Sequence, residues 1–248
     1  MQMKKSYSGI ILIILVSFLV FFTVSCKKDS DKPAVETGTM TDIEGNVYKT
    51  IKIGNQWWMA ENLKVRKYRN GDDIDSVAKN LPDSAWANKK TGAYCYFEEK
   101  FGMLYNFYSI KDSRNIAPVG WHIPADDEWK EMEQFLGMTK EDADKINWRG
   151  SDQGNKLKIA GGNTMYWAKS SDIYTVYGTN ESGFTAIGGA CRIFNGQWGE
   201  ITHTGFWWTS SLDNGNGAMY RGLDYDKTTV FRYYGPENYG FSIRCVRD

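Results

Sequence analysis

Rings and glycines, not aliphatic runs, decide what this chain can build. Its 248 residues include 10 Trp, 15 Tyr, 12 Phe and 25 Gly. Aromatic side chains suit the pleated, half-buried surface of a strand, and glycine suits tight turns. The expectation is short strands, tight turns and long ordered loops, with few helices. Most rings should be core. Those in Gly-rich loops can instead form a surface that stacks on sugars.

The first 26 residues speak to compartment. Lys4 and Lys5 precede an apolar run from Gly9 to Val24, and Ser25-Cys26 follows. A charged start, a short apolar core and a small residue make residues 1–25 a secretory signal. The run is short for a bilayer crossing. Cys26 then becomes the first mature residue and a lipid acceptor, a membrane anchor that needs no spanning helix. Residues 26–41 are the lipidated cysteine and a polar, flexible tether containing Pro33 and Gly38. Residues 42–248 form one domain. The expected location is the outer membrane as a lipoprotein, with the periplasmic and cell-surface orientations both open.

Charge and cysteines narrow the function. Removing Lys4 and Lys5 from 30 basic residues against 30 acidic ones leaves the mature chain at about −2. No basic excess exists to drive nucleic-acid binding. Beyond Cys26, the cysteines are Cys95, Cys191 and Cys245, enough for one disulfide with one thiol over. None lies in a CxxC pair, so zinc and thioredoxin-like chemistry are not expected. The chain has 2 histidines. His122, between Trp121 and Ile123, reads as structural, and His203 as a loop-tip residue. No GxSxG nucleophile elbow appears. No catalytic residue is assigned, and the chain is read as a non-enzyme.

Local patterns give a few elements. Val47, Lys49, Ile51 and Ile53 alternate with Tyr48, Thr50 and Lys52, and Gly54-Asn55 turns the chain into Gln56-Trp57-Trp58-Met59. That is a β-hairpin. Residues 66–92, with Asn70-Gly71, Pro82 and Gly92, read as a long loop. Ala93–Phe97 and Met103–Ile110 fit strand or helix equally. Trp129, Met132 and Leu136 at helical spacing, after an acidic first turn, predict a helix over Asp126–Leu136. Ala125 carries no cap oxygen, so Asp126 is expected to cap that helix. A second short helix is expected around Glu141–Asn147. Gly150 to Asp248 should be short strands between Gly-rich turns.

Several segments then resemble a known family. They are Thr41–Tyr48, Gln56–Leu63, Gly102–Asn106, Gly120–Pro124, Glu128-Trp129, Gly183–Ala186, Gly205–Ser211 and Gly240–Asp248, in that order. Together they resemble the Fibrobacter succinogenes major paralogous domain from about Thr41 to the last residue. The resemblance implies secreted or lipid-anchored proteins of Bacteroidetes and Fibrobacteres. It also implies an α+β, C-type-lectin-like mixed fold, shared with formylglycine-generating enzymes, with short strands, one or two helices and long ordered loops. The family's cysteine before the Pro-x-Gly-Trp-His segment is Ala117 here. Given the resemblance, the expected disulfide is Cys191–Cys245.

The expected recognition face comprises Trp198, Tyr220, Arg221, Tyr225, Arg232, Tyr233, Tyr234 and Tyr239, rings and guanidinium groups of the Gly-rich C-terminal half. Calcium would need convergent oxygens. Asp213–Asn216, Asp224–Asp226 and Glu237-Asn238 supply some, but Pro236-Glu237-Asn238 does not match the motifs of calcium-dependent C-type lectins. No metal or cofactor is expected. Asp75-Ser76-Val77 and Asp83-Ser84-Ala85 resemble Bacteroidetes O-glycosylation sites, which nominates Ser76 and Ser84. The leading function is non-catalytic binding of a glycan or another extracellular partner. The alternatives are a structural or assembly subunit of an envelope or fimbria-like complex, and a degenerate formylglycine-generating-like enzyme.

Overall fold

The computed structural model describes residues 35–161, 166–168, 178–199 and 201–248. The signal segment and Cys26 lie outside the described residues. In chain order the elements are β1 (Thr37–Thr41), β2 (Val47–Ile53), β3 (Gln56–Met59), β4 (Asp75–Ser76), α1 (Asp83–Ala87), β5 (Ala93–Cys95), β6 (Leu104–Tyr105) and α2 (Phe107–Lys111). They continue with β7 (Trp121–His122), α3 (Asp126–Phe135), α4 (Lys140–Asp144), β8 (Asn147–Arg149), α5 (Gln153–Leu157), β9 (Cys191–Arg192) and β10 (Trp198–Gly199). Last come β11 (Thr204–Asp213), β12 (Gly217–Asp224), β13 (Val230–Gly235) and β14 (Val246–Arg247). The fold is mostly short strands with few helices, an α+β arrangement. Among the described residues no helix is long and apolar enough to cross a membrane.

The expected hairpin forms. Ile53 pairs with Gln56 across Gly54-Asn55. Gly54 has φ of +61°, the left-handed value that a type II′ turn needs at its first central position. The tether, however, ends earlier than expected. Thr37–Thr41 pairs antiparallel with Val47–Ile51 as an added edge strand. Its β-branched threonines face solvent while Met40 is buried beside Tyr48, so alternation outweighs the polar composition. At the far side of this sheet β14 sits between β3 and β7, giving the order β1-β2-β3-β14-β7.

A second sheet has the order β11-β12-β13-β8. Strand alternation sends its two adjacent tryptophans to different cores. Trp208 joins Tyr48, Met59, Phe107 and Phe241. Trp207 joins Ile51, Trp58, Trp129 and Phe184. In that second core, Trp58 and Trp129 meet edge to face at 5.0 Å, and Phe184 touches both. Such pairs add to the gain from area burial alone. A smaller core under β4–β6 gathers Val77, Trp86, Cys95 and Leu104.

Five short α-helices occur among the described residues, more than the one or two expected. The helix predicted over Asp126–Leu136 runs Asp126–Phe135, and Trp129 and Met132 face the core. Asp126 does not cap it. The N-cap is Ala125, whose backbone N–H donates to Glu128 Oε2 at 2.7 Å, half of a capping box. The stretch 66–92 is not one loop, since it contains β4 and α1.

The expected Cys191–Cys245 disulfide is not formed. Cys245 is a buried free thiol whose backbone N–H meets Met59 Sδ, and the Cys191 thiol turns to the Gly199 carbonyl. Burial also pushes the Cys95 thiol up to about 12 and raises that of Cys245, so both stay protonated at neutral pH.

Candidate functional site: an aromatic strip on the second sheet

Register in the second sheet builds cross-strand rows. Phe206 faces Gly222, Gly222 faces Phe231, and Phe231 faces Trp148. The next row is Trp208, Tyr220 and Tyr233. Gly222 lets the two rings approach closely. A Cβ there would lie 3.0 Å from the Phe206 ring and 3.2 Å from Phe231 Cβ, so a side chain fits only where the Phe206 ring gives by a few tenths of an ångström.

Exposure rises along the Trp208–Tyr220–Tyr233 row from β11 to β13, and from Phe231 to Trp148 at the β8 edge. Trp208 is fully buried and Tyr220 is 8% exposed. Phe231 and Tyr233 are half-buried, and Trp148 is 37% exposed on edge strand β8. The rings stay in contact throughout. Trp148 and Phe231 are 5.1 Å apart between centroids, Phe231 and Tyr233 stack at 5.7 Å, and Tyr233 and Tyr234 stack at 4.6 Å with planes 10° apart. The Lys227 ammonium lies 5.6 Å from the Trp148 ring. This is a continuous, accessible aromatic strip with a cation at one end. Chemically it can offer π-faces to a ligand's apolar or C–H surface.

The eight expected recognition residues are therefore divided. Tyr233 lies on the strip, and Tyr234, paired with Met219 in the alternate register, joins it only by stacking its ring on Tyr233. Tyr220 is a buried layer beneath it, and Tyr239 packs on Phe241 and over Gly235. Arg221 and Arg232 belong to the opposite face, and that corrects their expected role. Arg221 donates to Asp126 Oδ1 at 2.7 Å and to Glu133 Oε1 at 2.8 Å. Arg232 donates to Asp126 Oδ2 at 2.7 Å, and Arg149 donates to the other Glu133 oxygen. Glu133 and Arg221 are completely buried. These guanidinium groups clamp α3 to the sheet and are not offered to a ligand. Burial opposes ionisation of Asp126, but Arg232 and Arg221 outweigh it and hold the carboxyl below its usual range.

Trp198 and Tyr225 lie in neither group. Trp198 packs edge-on to Phe97 and lies 4.5 Å from the Arg192 guanidinium. Tyr225 meets His203 at 5.1 Å. Trp148 and Phe231 complete the strip and were missed by sequence reasoning. The alternation of Phe231 with Tyr233 was a usable signal, whereas Trp148 joins only through the long-range pairing of β8 with β13.

Other expected sites are spread out. His122 bridges Glu128 at 2.8 Å and Asp248 at 2.7 Å, a structural tie between the start of α3 and the chain's last residue. Asp213 closes a hairpin turn with Asn216, Asp224 accepts from the Asp226 backbone N–H, and Glu237 pairs with Lys111. Among the described residues no group of three or more His, Cys, Asp or Glu is placed to hold a metal. Ser76 is exposed on β4 and Ser84 is exposed in α1 rather than in a loop. A family model described as the Fibrobacter succinogenes major domain matches residues 51–247. No curated protein and no solved structure matches the chain.

Proposed function

This chain belongs to the Fibrobacter succinogenes major domain family, and from that premise we propose that it is a non-catalytic, carbohydrate-binding protein of the cell envelope. The anchor is a lipid on Cys26, and the outer membrane is its location. The recognition face is the strip Trp148, Phe231, Tyr233 and Tyr234. The observation that carries this reading is the unbroken run of ring contacts leading from a buried layer to an exposed edge. A pyranose presents C–H faces that stack on such rings, and rings held by their neighbours lose little entropy on binding.

The fold reading is a C-type-lectin-like domain. Its support is the chain closure in which β14 lies between β3 and β7. Burial of the Cys95 and Cys245 thiols speaks against a cysteine-based reaction.

The test is glycan binding by the full chain in detergent, measured on an array and by titration calorimetry. Trp148→Ala or Tyr234→Ala should weaken binding by about tenfold, equivalent to about 1.4 kcal/mol. Failure of the wild type to bind any glycan, or binding indifferent to both variants, refutes the proposal.

A further inference from the structure

Away from the strip, a cleft of about 350 Å³ opens beside residues 60–64 and the turn Glu99–Phe101. Arg244 forms part of its lining and is 1% exposed. Its Nε donates to Asn62 Oδ1 at 2.9 Å, Nη1 donates to the Phe184 carbonyl, and Nη2 donates to the Thr185 carbonyl at 3.0 Å. Asn62 is held in turn by Trp207 Nε1, which donates to the same Oδ1 at 2.9 Å. Three of the five guanidinium N–H groups are thus used, all on neutral acceptors. Arg149 and Arg221, the ion-paired buried arginines, instead meet carboxylates. Desolvation brings the Arg244 pKa down to about 9, against the attraction of Glu61.

The other charges of the cleft are unequal. Glu99 pairs with Arg66 at 3.2 Å, and Lys100 pairs with Glu98 at 2.8 Å. Glu61 accepts the Lys49 backbone N–H at 2.6 Å. Lys64 is exposed, lies 5.6 Å from the Tyr48 ring and makes no ion pair among the described residues. Arg244 and Lys64 together face one unneutralised carboxylate, Glu61. That balance suits a monoanion and disfavours a dianion. The half-buried Tyr166 ring, edge-on to Phe101 at 6.4 Å, supplies an aromatic wall. The volume lies at the small end of ligand pockets, where a single sugar ring fits.

We infer that this cleft is a second binding site, for a small monocarboxylate carried on a hydroxylated ring, of which a uronic acid is the type. Lys64 and the remaining Arg244 N–H groups take the carboxylate. Tyr166 takes the ring face, and Glu61 accepts a hydroxyl. The site is independent of the aromatic strip and stands whether or not the strip binds glycans.

The experiment is calorimetric titration of the full chain in detergent with glucuronate, with glucose and with inorganic phosphate. Glucuronate should bind one to one, at least about tenfold tighter than either control, and more weakly as salt rises. Lys64→Gln, on an exposed side chain, should weaken glucuronate about tenfold and leave the melting temperature of the unliganded protein unchanged. Tyr234→Ala should leave glucuronate binding intact. No binding of glucuronate, equal binding of phosphate, or insensitivity to Lys64→Gln overturns the inference. So does loss of binding in Tyr234→Ala, which would put the ligand on the strip.

Discussion

Arg221 and Arg232 face each other on neighbouring strands, and both end on the Asp126 carboxylate. Removing one partner of a buried pair leaves the other charged and unsolvated, which costs about 3–5 kcal/mol. Arg221→Ala should therefore lose stability on that scale in urea denaturation. Trp148→Ala, at the exposed end of the strip, should change stability by less than about 1 kcal/mol. Equal losses in the two variants would contradict the division between clamp and strip. His122 adds a pH signature. Partial burial lowers its pKa, but hydrogen bonds to Asp248 and Glu128 prevail and hold it above the ordinary value. A raised pKa means that its stabilisation is complete below the unfolded-state value of about 6.5 and fades as pH rises through the folded one. The stability gap between wild type and His122→Gln should be largest in mild acid and shrink in mild alkali. A gap that grows with pH would show that the bridge does not bind the proton more tightly in the folded protein.

Elements were legible where the signal was local. The β2–β3 hairpin and α3 could be read from alternation, a Gly-Asn turn and helical spacing, because each needs only its own residues. The edge strand β1 was hidden by a polar sequence whose partner is β2, and the strip was hidden by register. Alternation alone puts Phe231 with Tyr233 and Arg232 on the other side, but which side stays open depends on where α3 lands. That in turn depends on Asp126 and Glu133 meeting three arginines from three strands. Gly222 is invisible as a spacer until Phe206 and Phe231 are seen across it. The β1 assignment makes its own prediction. Met40→Ala should cost about 2 kcal/mol or more, because a buried side chain is truncated. A tether would lose nothing, so an unchanged urea midpoint would remove β1 from the sheet.

In the whole molecule, the second sheet has two faces that do different work. One face of β12–β13 is spent on holding α3, and the other carries rings outward to solvent. The proposed lipid anchor on Cys26 is tested apart from the sheet. Metabolic labelling with a palmitate analogue should mark the wild type and not Cys26→Ser, and equal labelling would place the acyl chain elsewhere. Intact mass of the same preparation reports sugars on Ser76 and Ser84, both exposed. Unmodified mass would remove those sites. Recognition of carbohydrate by the strip is tested by titration of the best array ligand against wild type and Trp148→Ala. About tenfold weaker binding with the fold intact is expected. Undiminished binding by a folded Trp148→Ala protein, or no ligand for the wild type, would contradict it.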